Sequence, residues 1–204
     1  YRDFNRIIIW PETSFEGTIP NEIELLSVIS KRILTDQTAT LVVGLLRVDE
    51  NKVFNSLVFI NPKGNIIHQY DKIHLVPFGE YIPLRDKFPV IANFSSLKDF
   101  SSGNIKPNFT LKGLGNILTL ICYEILFTEE VISRLSKNTN LLINITNDAW
   151  FGKTIGPYQH LALAKIKAVE LGIPLARVAN TGISALISPY GEEIIKIPLY
   201  ESGV

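Results

Sequence analysis

The chain has 204 residues and carries 20 basic against 20 acidic side chains, so its formal charge at neutral pH is zero. That balance, with no run of Lys and Arg, excludes the electrostatic footprint of a nucleic-acid binder. The length suits one domain with a continuous core, and no stretch approaches the roughly 18 apolar residues of a membrane span.

Residues 7–10 form a β-branched run stopped by Pro11, the pattern of a buried strand. A helix is predicted over 21–34, where Ile23, Leu25, Leu26, Ile29 and Ile33 recur near helical period after a Pro20-Asn21 start signal. Residues 40–48 and 53–60 are predicted strands joined by the polar turn Asp49-Glu50-Asn51-Lys52. The turn Asn61-Pro62-Lys63-Gly64-Asn65 leads into a strand over 66–70. From 75 to about 108 periodicity fails; Pro77, Pro83, Pro89 and Pro107, with Gly79 and Gly103, predict a long irregular excursion of the functional kind. Regularity returns with a strand over 116–122, a helix over 129–135, a strand over 141–146 and an alanine-rich helix over 157–171. Strands over 175–178 and 183–187 precede the turn Ser188-Pro189-Tyr190-Gly191. Helices alternating with β-pairs predict layered α/β architecture.

The polar N-terminus lacks an initiator methionine, and the chain holds none at all. It is read as a segment of a longer protein, so a missing targeting signal says nothing about location.

Three chemically capable groups follow predicted buried strands: Glu12, Lys72 and Cys122, the single cysteine. Strand ends rim one edge of a sheet, where functional groups gather in open α/β folds. One cysteine makes no intrachain disulfide and no thiolate-rich metal cluster, so Cys122 is either a packed thiol or a nucleophile. As a nucleophile it needs a base, which Glu12 supplies, and a cation, which Lys72 supplies. Spacing alone leaves the bland alternatives open. Cysteine is among the most buried residue types, Glu12 suits a helix start after Pro11, and a lone lysine is ordinarily a surface group. No local motif ties His68, His74 or His160 to Cys122; two flank a strand and the third lies on a helix. Ser184 lacks the second glycine of a nucleophile elbow. No metal-binding, phosphate-loop or dinucleotide pattern is present, so no metal or cofactor is expected.

The segments Trp10-Pro11-Glu12-Thr13, 72–81 and Ile121-Cys122-Tyr123-Glu124 resemble the Glu-Lys-Cys motifs of the nitrilase superfamily of carbon–nitrogen hydrolases. The blocks 147–153, 156–160 and 177–182 resemble its lipoprotein-acylating branch more than its soluble amidases. The resemblance covers essentially the whole chain. It implies a four-layer αββα sandwich, with residues 1–204 as one catalytic domain of a longer membrane protein. It further implies Glu12 as general base, Lys72 as oxyanion-stabilising cation and Cys122 as nucleophile. Glu80, Tyr123 and Glu124 become supporting groups of the active site, and Trp150 belongs to the substrate region. The implied partners are a phospholipid acyl donor, an apolipoprotein acceptor and the membrane surface. The implied place is the periplasmic face of a bacterial inner membrane. The alternative is a soluble amidase using the same three residues on a small carbon–nitrogen substrate. Within 75–100, the aromatics Phe78, Tyr81, Phe88 and Phe94 suit either arms meeting lipid or pins holding a loop to the core.

Overall fold

The computed structural model describes residues 6–84, 99–104 and 107–204. The expectations for Phe88 and Phe94 lie outside them. Two sheets face each other with helices on their outer sides. The first sheet contains β1 (Ile7–Ile9), β2 (Thr18–Ile19), β3 (Thr40–Asp49), β4 (Lys52–Ile60) and β5 (Ile66–Asp71). Its order is β1-β3-β4-β5, with β2 beside β3. β1 runs parallel to β3, and the β3–β4 and β4–β5 pairs are antiparallel.

The second sheet contains β6 (Asn108–Leu111), β7 (Gly115–Ile121), β8 (Thr139–Asn147), β9 (Leu175–Asn180), β10 (Ser184–Ile187) and β11 (Glu193–Ile197). Its order is β11-β10-β9-β8-β7-β6, and β7, β8 and β9 are mutually parallel. Helices α1 (Ile23–Ile33), α2 (Thr128–Arg134) and α3 (Gly156–Leu171) complete the layers.

Side-chain alternation along the strands builds three apolar layers. In β3, Leu41, Val43 and Leu45 point outward with Leu26 of α1, whereas Val42 points inward. In β7, Leu118 and Leu120 meet α3 through Leu161, Ala164 and Ala168, whereas Ile117 and Ile121 point inward. The inner cluster joins Val42, Leu57, Phe59 and Tyr70 of one sheet to Ile143 and Ile145 of the other. This is the αββα sandwich, and it brings the C-terminal ends of β1, β5, β7 and β8 to one rim.

The sequence pattern located most of these elements within a residue or two. It missed β2, β6 and β11, and each has a physical reason. β2 has two residues, β6 is the short segment Asn-Phe-Thr-Leu, and β11 leaves Ile194 and Ile195 exposed on a sheet edge. The strand predicted to include Cys122 stops at Ile121, and Cys122 opens a 3₁₀ turn instead. His68 lies within β5 rather than at its flank.

Gly44 on the inward face of β3 is what lets the β1 exit pass beneath the sheet. A Cβ there would sit 2.3 Å from the Pro11 carbonyl oxygen and 2.7 Å from Glu12 Cα. Both obstacles are backbone. Gly44→Ala should therefore destabilise by about 1–3 kcal/mol, seen as a lower urea midpoint. An unchanged midpoint would show that the β1 exit is not held there.

Candidate active site

Glu12 arrives at the rim because β1 closes its last contact with Trp10, whose N–H donates to the Val42 carbonyl at 2.8 Å, and Pro11 then turns the chain inward. Its carboxylate is buried and doubly held. Oε1 accepts from Asn55 Nδ2 at 2.6 Å, and Oε2 accepts from the Asn147 backbone N–H at 2.7 Å. Burial pushes its pKa up; Lys72, Asn55 and the Asn147 N–H pull down and Glu80 pushes up, leaving it above the ordinary carboxylate range. Glu12 is thus no helix cap.

Lys72 follows β5 directly, and its backbone N–H donates to the Asn55 carbonyl at 2.8 Å. The side chain is 1% exposed, which rules out a surface lysine. Its ammonium lies 2.8 Å from Glu80 Oε2 and 3.9 Å from Glu12 Oε1. Burial favours the neutral amine, but Glu12, Cys122 and Glu80 outweigh it and hold the pKa above normal. The group stays cationic. Glu80 is itself fixed by Asn55 Nδ2 on Oε1 at 3.0 Å and by the Val76 N–H on Oε2 at 2.8 Å.

Cys122 opens the 3₁₀ turn Cys122–Leu126 at φ +54°, a left-handed conformation that costs a side-chain-bearing residue roughly 1–2 kcal/mol. It is both a member of the inner core and part of this charged cluster. Burial pushes the thiol up to about 12, aided by the charges of Glu12 and Asp148 and opposed by Lys72 and the Thr146 hydroxyl. At rest it is a thiol, so nucleophilic chemistry requires its proton to be removed as the reaction proceeds.

Glu124 is fully buried and ties the Cys122 turn to the Lys72 loop. Oε1 accepts from Tyr70 Oη at 2.7 Å, the Ile73 and His74 N–H groups at 3.0 and 3.1 Å, and Arg134 Nη1 at 3.0 Å. Oε2 accepts from the Ile121 N–H at 2.9 Å. Tyr123 stacks on His160 with ring centroids 5.0 Å apart. Trp150, on the 3₁₀ turn Asp148–Phe151 after β8, is 82% exposed.

Beneath the thiol lies a polar network that the sequence reading did not identify. Arg177 donates from Nη1 to Asn144 Oδ1 and from Nη2 to Asp148 Oδ2, both at 2.8 Å. Asn144 Nδ2 donates to the Cys122 carbonyl at 3.2 Å, and His160 Nδ1 pairs with Asp148 Oδ1 at 2.9 Å. Gly182 packs so closely that a Cβ would lie 2.4 Å from Asp148 Oδ2. Asn55 was also missed. The available signal was a polar residue inside an apolar strand, as in Phe54-Asn55-Ser56-Leu57 and Ile143-Asn144-Ile145.

A model of the family described as carbon-nitrogen hydrolase matches residues 6–204. The chain is 41% identical over 206 residues to an apolipoprotein N-acyltransferase of Rhizobium etli (strain CIAT 652), covering 97% of this chain and 38% of that protein. It therefore spans less than half the length of such relatives. Among solved structures, Saccharomyces cerevisiae Nit3, a member of branch 10 of the nitrilase superfamily, aligns with a TM-score of 0.71 at 18% identity, covering 97% of this chain and 74% of that one. XC1258 from Xanthomonas campestris, a CN-hydrolase superfamily protein, aligns with a TM-score of 0.67 at 20% identity over 97% and 75% of the respective chains. These two likenesses show the shared fold.

The electrostatics of Cys122 give a signed test. Lys72→Met removes a charge that lowers the thiol pKa, so alkylation by iodoacetamide should need a higher pH than in the parent. Glu12→Gln removes a charge that raises it and should move the alkylation profile to lower pH. Shifts in the same direction would show that the two groups do not act on the thiol as opposed charges.

Proposed function

The chain belongs to the carbon–nitrogen hydrolase family, and we propose that it is the catalytic part of an apolipoprotein N-acyltransferase working by two-step acyl transfer. The observation that carries this reading is the burial of one carboxylate and one ammonium around the single thiol, in a chain 41% identical to a protein of that name.

In the first step Glu12 takes the Cys122 proton as sulfur attacks the ester carbonyl of a phospholipid. The oxyanion forms beside the Lys72 ammonium and a backbone N–H near Cys122; losing one such donor typically costs about 2.7–4 kcal/mol. The tetrahedral intermediate collapses to a thioester, and the departing lysophospholipid alkoxide takes the proton back from Glu12. In the second step the α-amine of an S-diacylglyceryl-cysteine attacks the thioester. Glu12 accepts the amine proton and returns it to the sulfur as the amide forms. One site thus serves two lipid substrates in turn.

Trp150 and Phe78, 82% and 79% exposed, flank the rim on the loops after β8 and β5 and suit contact with acyl chains. No helix among the described residues is long and apolar enough to cross a membrane. Membrane anchorage, at the periplasmic face of a bacterial inner membrane, is on this reading a property of the longer protein.

The test uses the full-length parent with phospholipid. The peptide holding Cys122 should gain the mass of one fatty acyl group, which disappears when an S-diacylglyceryl-cysteine peptide is added and becomes N-acylated. Cys122→Ala should abolish both signals, and Glu12→Gln should slow loading by about 10²-fold or more. N-acylation that proceeds without Cys122, or a thioester lost only to water, would overturn the assignment.

A further inference from the structure

We propose that Asn55 is a positioning residue whose side-chain amide clamps Glu12 and Glu80 on one nitrogen, leaving Lys72 paired with Glu80 and Glu12 free to act as base. Asn55 sits in the interior of β4 and is 2% exposed. Its two amide hydrogens are divided between the carboxylates, at 2.6 Å to Glu12 Oε1 and 3.0 Å to Glu80 Oε1. Its own carbonyl receives the Lys72 N–H. One residue therefore touches both carboxylates and the main chain of the lysine.

The amide orientation follows from chemistry. A flipped side chain would press Oδ1 against two carboxylate oxygens, which offer it no proton. The observed orientation carries a cost: Oδ1 is buried with no hydrogen-bond partner among the described residues. An apolar residue in β4 would avoid that penalty, and a buried unsatisfied group calls for an explanation. Here the explanation is the clamp. Two carboxylates compete for one ammonium, and the ammonium stands 2.8 Å from Glu80 but 3.9 Å from Glu12. The amide gives Glu12 a neutral donor in place of the cation that Glu80 holds.

This inference rests on the reading of Glu12 as base. The charged and titratable groups acting on Glu12 are Lys72 and Glu80 from the loop after β5, Cys122 from the turn after β7 and Arg177 of β9. Among these influences the Asn55 hydrogen bond lowers the Glu12 pKa and the Glu80 charge raises it. Removing the amide must move Glu12 upward.

The experiment follows single-turnover acyl loading of Cys122 against pH, using the full-length protein in vesicles of phosphatidylethanolamine and phosphatidylglycerol. Asn55→Ala should slow loading at neutral pH by about tenfold or more, leave the KM for phospholipid unchanged, and shift the acid limb to higher pH. Asn55→Asp keeps the shape of the side chain and adds a third carboxylate, so its acid limb should lie higher still. Variants that load more slowly at every pH, with the acid limb where the wild type has it, would overturn the clamp. Glu12→Gln run alongside separates the two ideas. If it loads poorly while the Asn55 variants keep the wild-type limb, only the clamp fails; if it loads at the wild-type rate, the base assignment fails and takes the clamp with it.

Discussion

The Glu124 carboxylate is the tie on which the geometry of the rim depends. It gathers donors from β5, from the loop that follows it, from the end of β7 and from α2. A carboxylate with no solvent exposure is tolerable only when its charge and lone pairs are matched, and here a guanidinium and four further donors match them. Because the two N–H groups after Lys72 and the one before Cys122 end on the same carboxylate, the ammonium and the sulfur cannot drift independently. Two sheets that meet mainly through an apolar interface acquire a fixed register at the edge where chemistry is proposed, where the Asn147 N–H also donates to Glu12 across the gap at 2.7 Å. Tyr70 adds to this, since its hydroxyl is held by Glu124 and burial pushes its pKa far above normal.

The charges around the thiol make sense as a set that conserves its total. With Glu12 and Glu80 ionised, Lys72 protonated and Cys122 neutral, the cluster carries one excess negative charge. Passing the sulfur proton to Glu12 leaves that sum unchanged and places the new anion near Lys72. No further charge has to be buried, which matters because an unpaired buried ion is costly. The raised Glu12 and the raised Cys122 reflect the same leading cause, burial, which disfavours the anion at both. Arg177 adds no net charge to this set, since it is paired with Asp148 at 2.8 Å.

The sequence exposed the strand ends because apolar runs that stop at Glu12, Lys72 and Cys122 can be seen without knowing how the sheets meet. The same logic failed at Asn55, Asn144 and Arg177, which lie within strands. A polar residue there can face solvent or enter a buried network, and periodicity does not distinguish the two. Asn55 became meaningful only when β4 was seen between Glu12 on one side and the Lys72 loop on the other. Asp148 was visible as part of a motif, yet its grip on Arg177 and His160 joins an adjacent strand to a helix that local pattern cannot place. The Cys122 turn escaped for another reason. A left-handed residue at the end of a β-branched run contradicts local propensity, and tertiary contacts impose it.

That contradiction recurs around the rim. Among the described residues, the non-glycine positions with positive φ are Thr13, Glu50, Phe78, Leu84, Cys122, Thr181 and Tyr200. They follow β1, β3, β5, β7, β9 and β11, which all run toward the edge that holds Glu12, Lys72 and Cys122. At the opposite edge, the β4–β5 and β10–β11 turns use Gly64 and Gly191, for which positive φ is unstrained. Each strained position costs on the order of 1–3 kcal/mol and persists only where its surroundings leave no alternative. Three apolar layers and the Glu124 tie supply those surroundings. The fold thus concentrates its backbone strain on one edge, where side chains that glycine could not provide are held in conformations that only a rigid frame would sustain.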